Sequence, residues 1–253
     1  MIPDTDATPL GDMLIYKSFT HADYTQTHDA MLARTLERID LKKQQDTRTP
    51  DELWVVDHND VYTLGQAGKE EHILTRTDTP IIKTDRGGQV TWHGHGQLVL
   101  YWLFDLHSLG WGVRNLVSHA EQAIEDVLCE LLGLSASGVI ARARRDAPGV
   151  YLYAFDAKGR EIMLGKIASL GFKIKHGFSY HGLALNIDCD LAAFNAINPC
   201  GYAGMQMLRV ADFVDLPDVS TLTNHAVTQK LLANIAKRHA GGIALRPIDS
   251  DFA

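Results

Sequence analysis

Apolar positions recur at helical spacing in three stretches of this chain, with shorter apolar bursts between them. Within Asp23 to Lys43, Leu32, Leu36 and Ile39 return every three or four residues, which predicts a helix with that stripe turned inward. The pattern is clearest over Val113 to Leu132. There Leu116, Ala120, Ala123, Val127 and Leu131 form one stripe, and Gly133 stands where a left-handed C-terminal cap belongs. Leu222 to His239 repeats it with Val227, Leu231 and Ile235, and stops at Gly241.

The remaining bursts have the length of strands. Leu53 to Asp57 and Val61 to Leu64 come first, then Pro80 to Thr84 and Gln89 to Trp92 on either side of an Arg86-Gly87-Gly88 turn. Gln97 to Asp105, dense in Leu, Val, Tyr, Trp and Phe, predicts a strand covered on both faces. Gly149 to Phe155, Glu161 to Ser169, Gly171 to Lys175 and Ser179 to Ile187 follow, with Asp156 to Gly159 as a hairpin turn. Residues 1–12 read as a loose tail, and residues 13–253 hold no repeat and no linker. The expectation is one α/β (α+β) domain, a mixed β-sheet flanked by helices.

Composition narrows the function more than the fold. The 253 residues are 45% apolar and 22% charged, as in a soluble globular protein. A net charge of −7 argues against nucleic acid, whose binders neutralise phosphates with clustered Lys and Arg. Met1 to Asp12 carries acids and prolines where a secretory signal needs a basic and then an apolar segment. Leu98 to Phe104, the densest apolar run, is far too short to span a bilayer, so no membrane association is expected. Cys129, Cys189 and Cys200 form no CxxC pair, which points to free thiols in a reducing cytoplasm.

Four stretches have compositions that packing alone explains poorly. Arg86 to Gln97 (RGGQVTWHGHGQ) concentrates glycine and histidine between apolar strands. It is either a tight hairpin or a loop whose backbone approaches a ligand. Lys166 sits in an otherwise apolar run, Ile162 to Leu170, where a lysine either snorkels to the surface or works in a desolvated site. His181 and Asn186 frame a strand of small and apolar residues, as ligand-facing or merely satisfied polar groups. Pro199 and Gly201 bracket Cys200 in a turn, which puts its sulfur on a loop, whereas Cys129 lies on a helix and reads as a small hydrophobe. A metal site built from His93, His95 and His181 finds no acidic or thiolate residue at matching spacing, so no metal is expected.

Taken together these stretches resemble the bacterial octanoyl (lipoyl) transferase family. The matching segments are TLGQAG (63–68), RGGQVTWHGHGQ (86–97), RRDAPGVY (144–151), GKIASLG (165–171), HGLALN (181–186) and INPCGYAG (197–204), in unbroken order. The family's loop usually reads HGPGQ, and here His95 stands at the proline position. The resemblance implies a fold similar to the catalytic domains of biotin and lipoate protein ligases. It implies an acyl-thioester on Cys200 with Lys166 as its acid/base, and no cofactor. It implies an acyl pocket formed by Arg86, Gly87, Gly88, Gln89, Val90, Thr91, Trp92, His93, Ser169, Leu170, Gly171, Gly182, Leu183 and Ala184. The donor would be octanoyl-acyl carrier protein. The acceptors would be lipoyl domains of 2-oxoacid dehydrogenases and the glycine cleavage H protein.

This chemistry suits the residues. Thioester to amide exchange runs downhill, so no ATP is required, and no Walker-type phosphate loop occurs. A covalent way-station divides the transfer in two, and an ammonium beside a thiol favours the reactive thiolate. Backbone N–H groups of Gly87, Gly88 or Gly201 are candidates to hold the tetrahedral oxyanion. Arg142, Arg144, Arg145, Lys173, Lys175 and His176 are the dense basic groups that would meet an acidic carrier protein. The rivals are an ATP-dependent lipoate or biotin ligase, which needs no nucleophilic cysteine, and a non-enzymatic lipoyl-domain binder.

Overall fold

Asp23 begins the first helix, α1 (Tyr24–Gln45), by accepting the Gln26 N–H at 2.9 Å, and Asp46 ends it in a left-handed conformation with φ 48°. The computed structural model describes residues 6–134, 138–214 and 224–247. Strands β1 (Thr8–Gly11) and β2 (Leu14–Ala22) precede α1, and β3 (Asp51–His58), β4 (Val61–Leu64), β5 (Ile81–Lys83), β6 (Val90–His93) and β7 (Gln97–Leu103) follow it. A short α2 (Leu106–Leu109) leads into α3 (Val113–Leu134). Then come β8 (Ile140–Ala143), β9 (Gly149–Phe155), β10 (Glu161–Lys175), β11 (Phe178–Asn186) and α4 (Asn224–His239).

Eight strands form the main sheet in the order β1-β2-β3-β7-β11-β10-β9-β8, and β5-β4-β6 form a second sheet of three. Both are mixed, because β2 runs parallel to β3 and β4 parallel to β5 while the other neighbours are antiparallel. Strand β7 is central and wholly buried, as its continuous apolar run predicts. Leu98, Leu100 and Trp102 point to the face covered by α3 and α4, while Val99, Tyr101 and Leu103 meet Met31 of α1 on the other. The expected α3 stripe of Leu116, Ala120, Ala123, Val127 and Leu131 is the buried one, and so is Val227, Leu231 and Ile235 on α4.

Several expectations need correction. Helix α1 does not bury Leu32 and Leu36 as its main stripe: Leu36 is exposed, and Met31, Thr35, Arg38 and Ile39 face inward. The rotation is set by Arg38, whose buried guanidinium reaches Asp51 and the Leu103 carbonyl. Cys129 is exposed, because adjacent residues on a helix point about 100° apart and Leu128 takes the inward position. Gly133 is not a left-handed cap, since α3 continues through Leu134. The two strands expected over 161–169 and 171–175 are a single strand, β10. Strands β2 and β8 were not legible, as polar residues on their open faces break the apolar pattern. Thr8–Gly11, expected within a loose tail, pairs with β2 as an edge strand. Leu222 of the expected last helix lies outside the described residues.

Asp51 ties the layers together. Its carboxylate accepts from Arg38 of α1 at 2.5 Å, from the Asp105 backbone at 2.8 Å and from His239 of α4 at 2.8 Å. Both Asp51 and Arg38 are 1% exposed, so removing one leaves the other charge buried alone. Asp51→Ala is therefore expected to lower unfolding stability by about 3–5 kcal/mol, read from urea denaturation curves. A loss below about 1 kcal/mol would show that water reaches Arg38.

Candidate active site

Strand β10 carries Lys166 into the interior instead of along its surface. Its pairing with β9 slips between Met163 and Gly165 and again between Lys166 and Ala168. Such bulges re-aim a side chain, and Lys166 ends up 2% exposed. Its Nζ donates to the Pro148 carbonyl at 2.9 Å and to Cys200 Sγ at 3.1 Å, and lies 5.2 Å from the centre of the Tyr151 ring. Gly149 makes room: a Cβ there would sit 2.5 Å from Lys166 Cε, and its φ of 142° disfavours any side chain.

Cys200 comes from a turn, as its flanking residues predict. It adopts φ 56° within a 3-10 turn, Pro199–Gly201, a left-handed conformation rare outside glycine. The segment after it is clamped to β10: Lys166 N–H donates to the Gln206 carbonyl and Leu208 N–H to the Lys166 carbonyl, both at 2.8 Å. Before it, Asn198 N–H bonds the His72 carbonyl at 2.8 Å. Two chain segments far apart in sequence are thus fixed in one relation, sulfur to ammonium. Ser169 Oγ stands 3.9 Å from the sulfur.

A cavity of about 310 Å³ opens from this pair. Val90, Val99, Leu170, Leu183 and Ala184 supply apolar wall. Arg86, Gly87, Gly88, Gln89, Thr91, His93, Ser169, Gly171 and Gly182 complete the lining expected from the sequence, beside Cys200 and Lys166. Trp92 is the exception. Its neighbours on β6 face the cavity, so by strand alternation its ring turns away and packs edge-on against Phe194 at 5.5 Å. The glycines let the loop lie flat on β10: Gly87 N–H donates to the Phe172 carbonyl, and a Cβ on Gly171 would press within 2.8 Å of the Gly87 carbonyl.

Part of the lining is polar. Arg86 is buried, makes no ion pair among the described residues, and spends its donors on Thr63, Gly87 and Gln89 oxygens, at 2.7–3.2 Å. Burial lowers its pKa, yet carbonyls do not cancel its charge, which reaches Cys200. His93 Nδ1 bonds Gln97 Oε1 at 2.7 Å, and Gln97 donates on to Asn186 Oδ1 at 2.9 Å. Because the Gln97 amide nitrogen is a donor, Nδ1 carries the His93 hydrogen and Nε2 is left as an acceptor. Burial pushes His93 down to about 3 and His58 to about 4, so both are neutral at pH 7. His181 Nε2 bonds Asp85 Oδ1 at 2.8 Å, and that bond, with others from Tyr180 and His28, holds the Asp85 carboxyl far below its ordinary range.

His93, His95 and His181 therefore do not converge on one point. His95 is exposed, pairs with Asp57 at 2.8 Å and stacks on His21, 5.5 Å between ring centres. The expected basic groups also separate. Arg142 pairs with Glu161 and Arg144 with Asp146, whereas Lys173 lies seven residues beyond Lys166 along β10, roughly 23 Å. Gly87 and Gly201 N–H groups already serve the Phe172 and Asn198 carbonyls, which removes them as oxyanion donors. Tyr24, Val99, Tyr101 and Val117 are among the lining residues that came unannounced, since a lone aromatic or valine in an apolar stretch reads as core.

Comparison with known proteins decides the family. Residues 29–236 match the lipoyl protein ligase A/B catalytic domain. An octanoyltransferase of Psychrobacter cryohalolentis is 66% identical, with 95% of each chain covered. The chain belongs to the octanoyltransferase family. Another family member, from Acinetobacter baylyi, is 53% identical over 68% of this chain and 71% of its own. Among solved structures, P. falciparum LipL1 in complex with lipoate is 12% identical with a TM-score of 0.59, covering 91% of this chain and 63% of that one. Lipoate-protein ligase A bound with ATP is 14% identical with a TM-score of 0.55, covering 90% and 85%. These two share the fold, as the resemblance implied. No helix among the described residues is long and apolar enough to cross a membrane.

Gly149 tests whether this octanoyltransferase depends on the Lys166 geometry. Gly149→Ala should displace the lysine and reduce single-turnover octanoyl transfer by about 10²-fold, while circular dichroism still reports a folded protein. Transfer at the wild-type rate would mean that Lys166 need not stand where it does.

Proposed function

We infer that this octanoyltransferase takes its acyl group from octanoyl-acyl carrier protein, holds it as a thioester on Cys200, and passes it to a lysine of a lipoyl domain. The observation that carries this reading is the 3.1 Å contact of Lys166 Nζ with Cys200 Sγ at an apolar cavity. The Cys200 thiolate attacks the donor's carbonyl carbon, a tetrahedral oxyanion forms, and the carrier's thiolate leaves. Lys166 gives that thiolate its proton and becomes a neutral amine. The acceptor's amine then attacks the Cys200 thioester, Lys166 takes up its proton, and the Cys200 thiolate is released. Atoms and charge return to their start, with no nucleotide consumed.

The cavity suits an octanoyl chain because each buried methylene contributes about 0.8 kcal/mol, which disfavours short acyl groups. Water kept off the thioester would also slow its hydrolysis. The uncancelled charge of Arg86 supports an anion in the cavity. The acceptors proposed are lipoyl domains of 2-oxoacid dehydrogenases and the glycine cleavage H protein. Cys200 beside a lysine favours this reading over an ATP-dependent ligase, which has no use for that pair.

Incubation with octanoyl-acyl carrier protein and no nucleotide should add one octanoyl mass, removable by hydroxylamine. Cys200→Ala should abolish the adduct and Cys129→Ala leave it. Labelling that survives in Cys200→Ala, or efficient use of free octanoate only with ATP, would defeat the thioester reading.

The two Lys166 variants separate charge from proton transfer. Lys166→Ala should slow alkylation of Cys200 at neutral pH and cut turnover at least about 10²-fold. Lys166→Arg keeps a cation but cannot surrender a proton, so alkylation should persist while turnover is lost. Wild-type behaviour in both would reduce Lys166 to a structural cation.

A further inference from the structure

One buried carboxylate beside the cavity has no part in the steps above. Glu121 projects from α3, is 6% exposed, and accepts the Gly149 N–H at 3.0 Å. That N–H belongs to the peptide joining Pro148 to Gly149. The carbonyl of the same peptide accepts from Lys166 Nζ at 2.9 Å. One planar peptide group is therefore bonded at both ends, carboxylate on its nitrogen and ammonium on its oxygen.

A carboxylate pulling on the N–H makes the carbonyl oxygen more negative, and a more negative oxygen holds an ammonium more firmly. The peptide cannot drift, because Gly149 packs directly on the Lys166 side chain and on the Ala168 carbonyl. Placing a carboxylate in this interior is costly, and a neutral glutamine would satisfy the Gly149 N–H equally well. The charge itself needs a reason.

We propose that Glu121 is a positioning residue for acyl transfer: through the Pro148–Gly149 peptide it aims Lys166 Nζ at Cys200 Sγ. This rests on Lys166 and Cys200 being the reacting pair. Burial raises the Glu121 carboxyl to about 7, opposed by the Gly149 bond and by Lys166 of β10, and reinforced by Glu125 one turn along α3. Glu125 is itself held by Arg246 at 3.0 Å and by the Ala143 N–H of β8. Below about pH 7 Glu121 becomes neutral and its hold on the ammonium is lost, so Cys200 acylation should slow as pH falls through that region.

The test is the pH profile of single-turnover acyl-enzyme formation in the full chain, with octanoyl-acyl carrier protein as donor, for wild type and Glu121→Gln. Glutamine keeps the acceptor oxygen and removes the charge. The proposal expects a folded variant with the half-saturating donor concentration unchanged and the maximal acylation rate lowered roughly tenfold at pH 8, and loss of the limb near pH 7. A Glu121→Gln profile that overlays wild type would overturn it, leaving Glu121 a backbone acceptor and no more. Should Glu121→Gln fail to fold, the wild-type profile still decides, because absence of any limb near pH 7 also overturns the proposal. If wild-type protein forms no acyl-enzyme at all, the thioester reading itself has failed, which is a separable result.

Discussion

A buried ammonium held 3.1 Å from a half-buried thiol constrains everything near it. A buried lysine must find an acceptor for its N–H groups or the site is destabilised by several kcal/mol. Here the acceptors are the Pro148 carbonyl and the sulfur, with the Tyr151 ring below. Meeting that demand accounts for the two bulges that turn Lys166 inward and for the glycine at 149, where any side chain would strike the lysine. It also accounts for the clamp of residues 206–208 onto β10, which brings the Cys200 turn back to the strand.

The same helix serves packing and chemistry on different faces. One face of α3 presents Leu116, Ala120, Ala123 and Val127 to the sheet. Glu121, one residue past Ala120 and so about 100° round, meets the start of β9 instead. On the opposite face of the sheet, α1 supplies Tyr24 to the cavity and Arg38 to the Asp51 cluster. The cavity therefore lies among elements whose relative positions are fixed by the core. A side chain there is held to the tolerance of close packing, and a transferring acyl group needs that tolerance.

The cavity lining is part apolar and part polar. Apolar wall from β6, β7, β10 and β11 suits a hydrocarbon chain, and Arg86 gives the polar part a charge that its carbonyl partners do not cancel. His93, kept neutral by burial, adds a hydrogen-bonding group to the lining without adding a second charge. The histidine at position 95, where the family usually has proline, stays at the surface against Asp57 and His21, outside this arrangement.

The sequence by itself determined a mixed sheet flanked by helices, the buried stripes of α3 and α4 and the doubly buried β7, each from local periodicity. Glycines in a loop, a lysine in an apolar run and a cysteine between proline and glycine marked the site, and part of the cavity lining followed only from the family resemblance that those stretches carry. Tertiary structure decided what periodicity cannot carry. The rotation of α1 was set by Arg38 seeking Asp51, a partner thirteen residues on that no apolar count reveals. The outward turn of Trp92 was set by strand alternation around an interior that only the assembled sheets define. The bond from Glu121 to the peptide that holds Lys166 joins a helix to a strand 28 residues away. Hydrogen bonds between distant residues leave no period in the chain, so only the folded protein shows which buried polar groups answer one another.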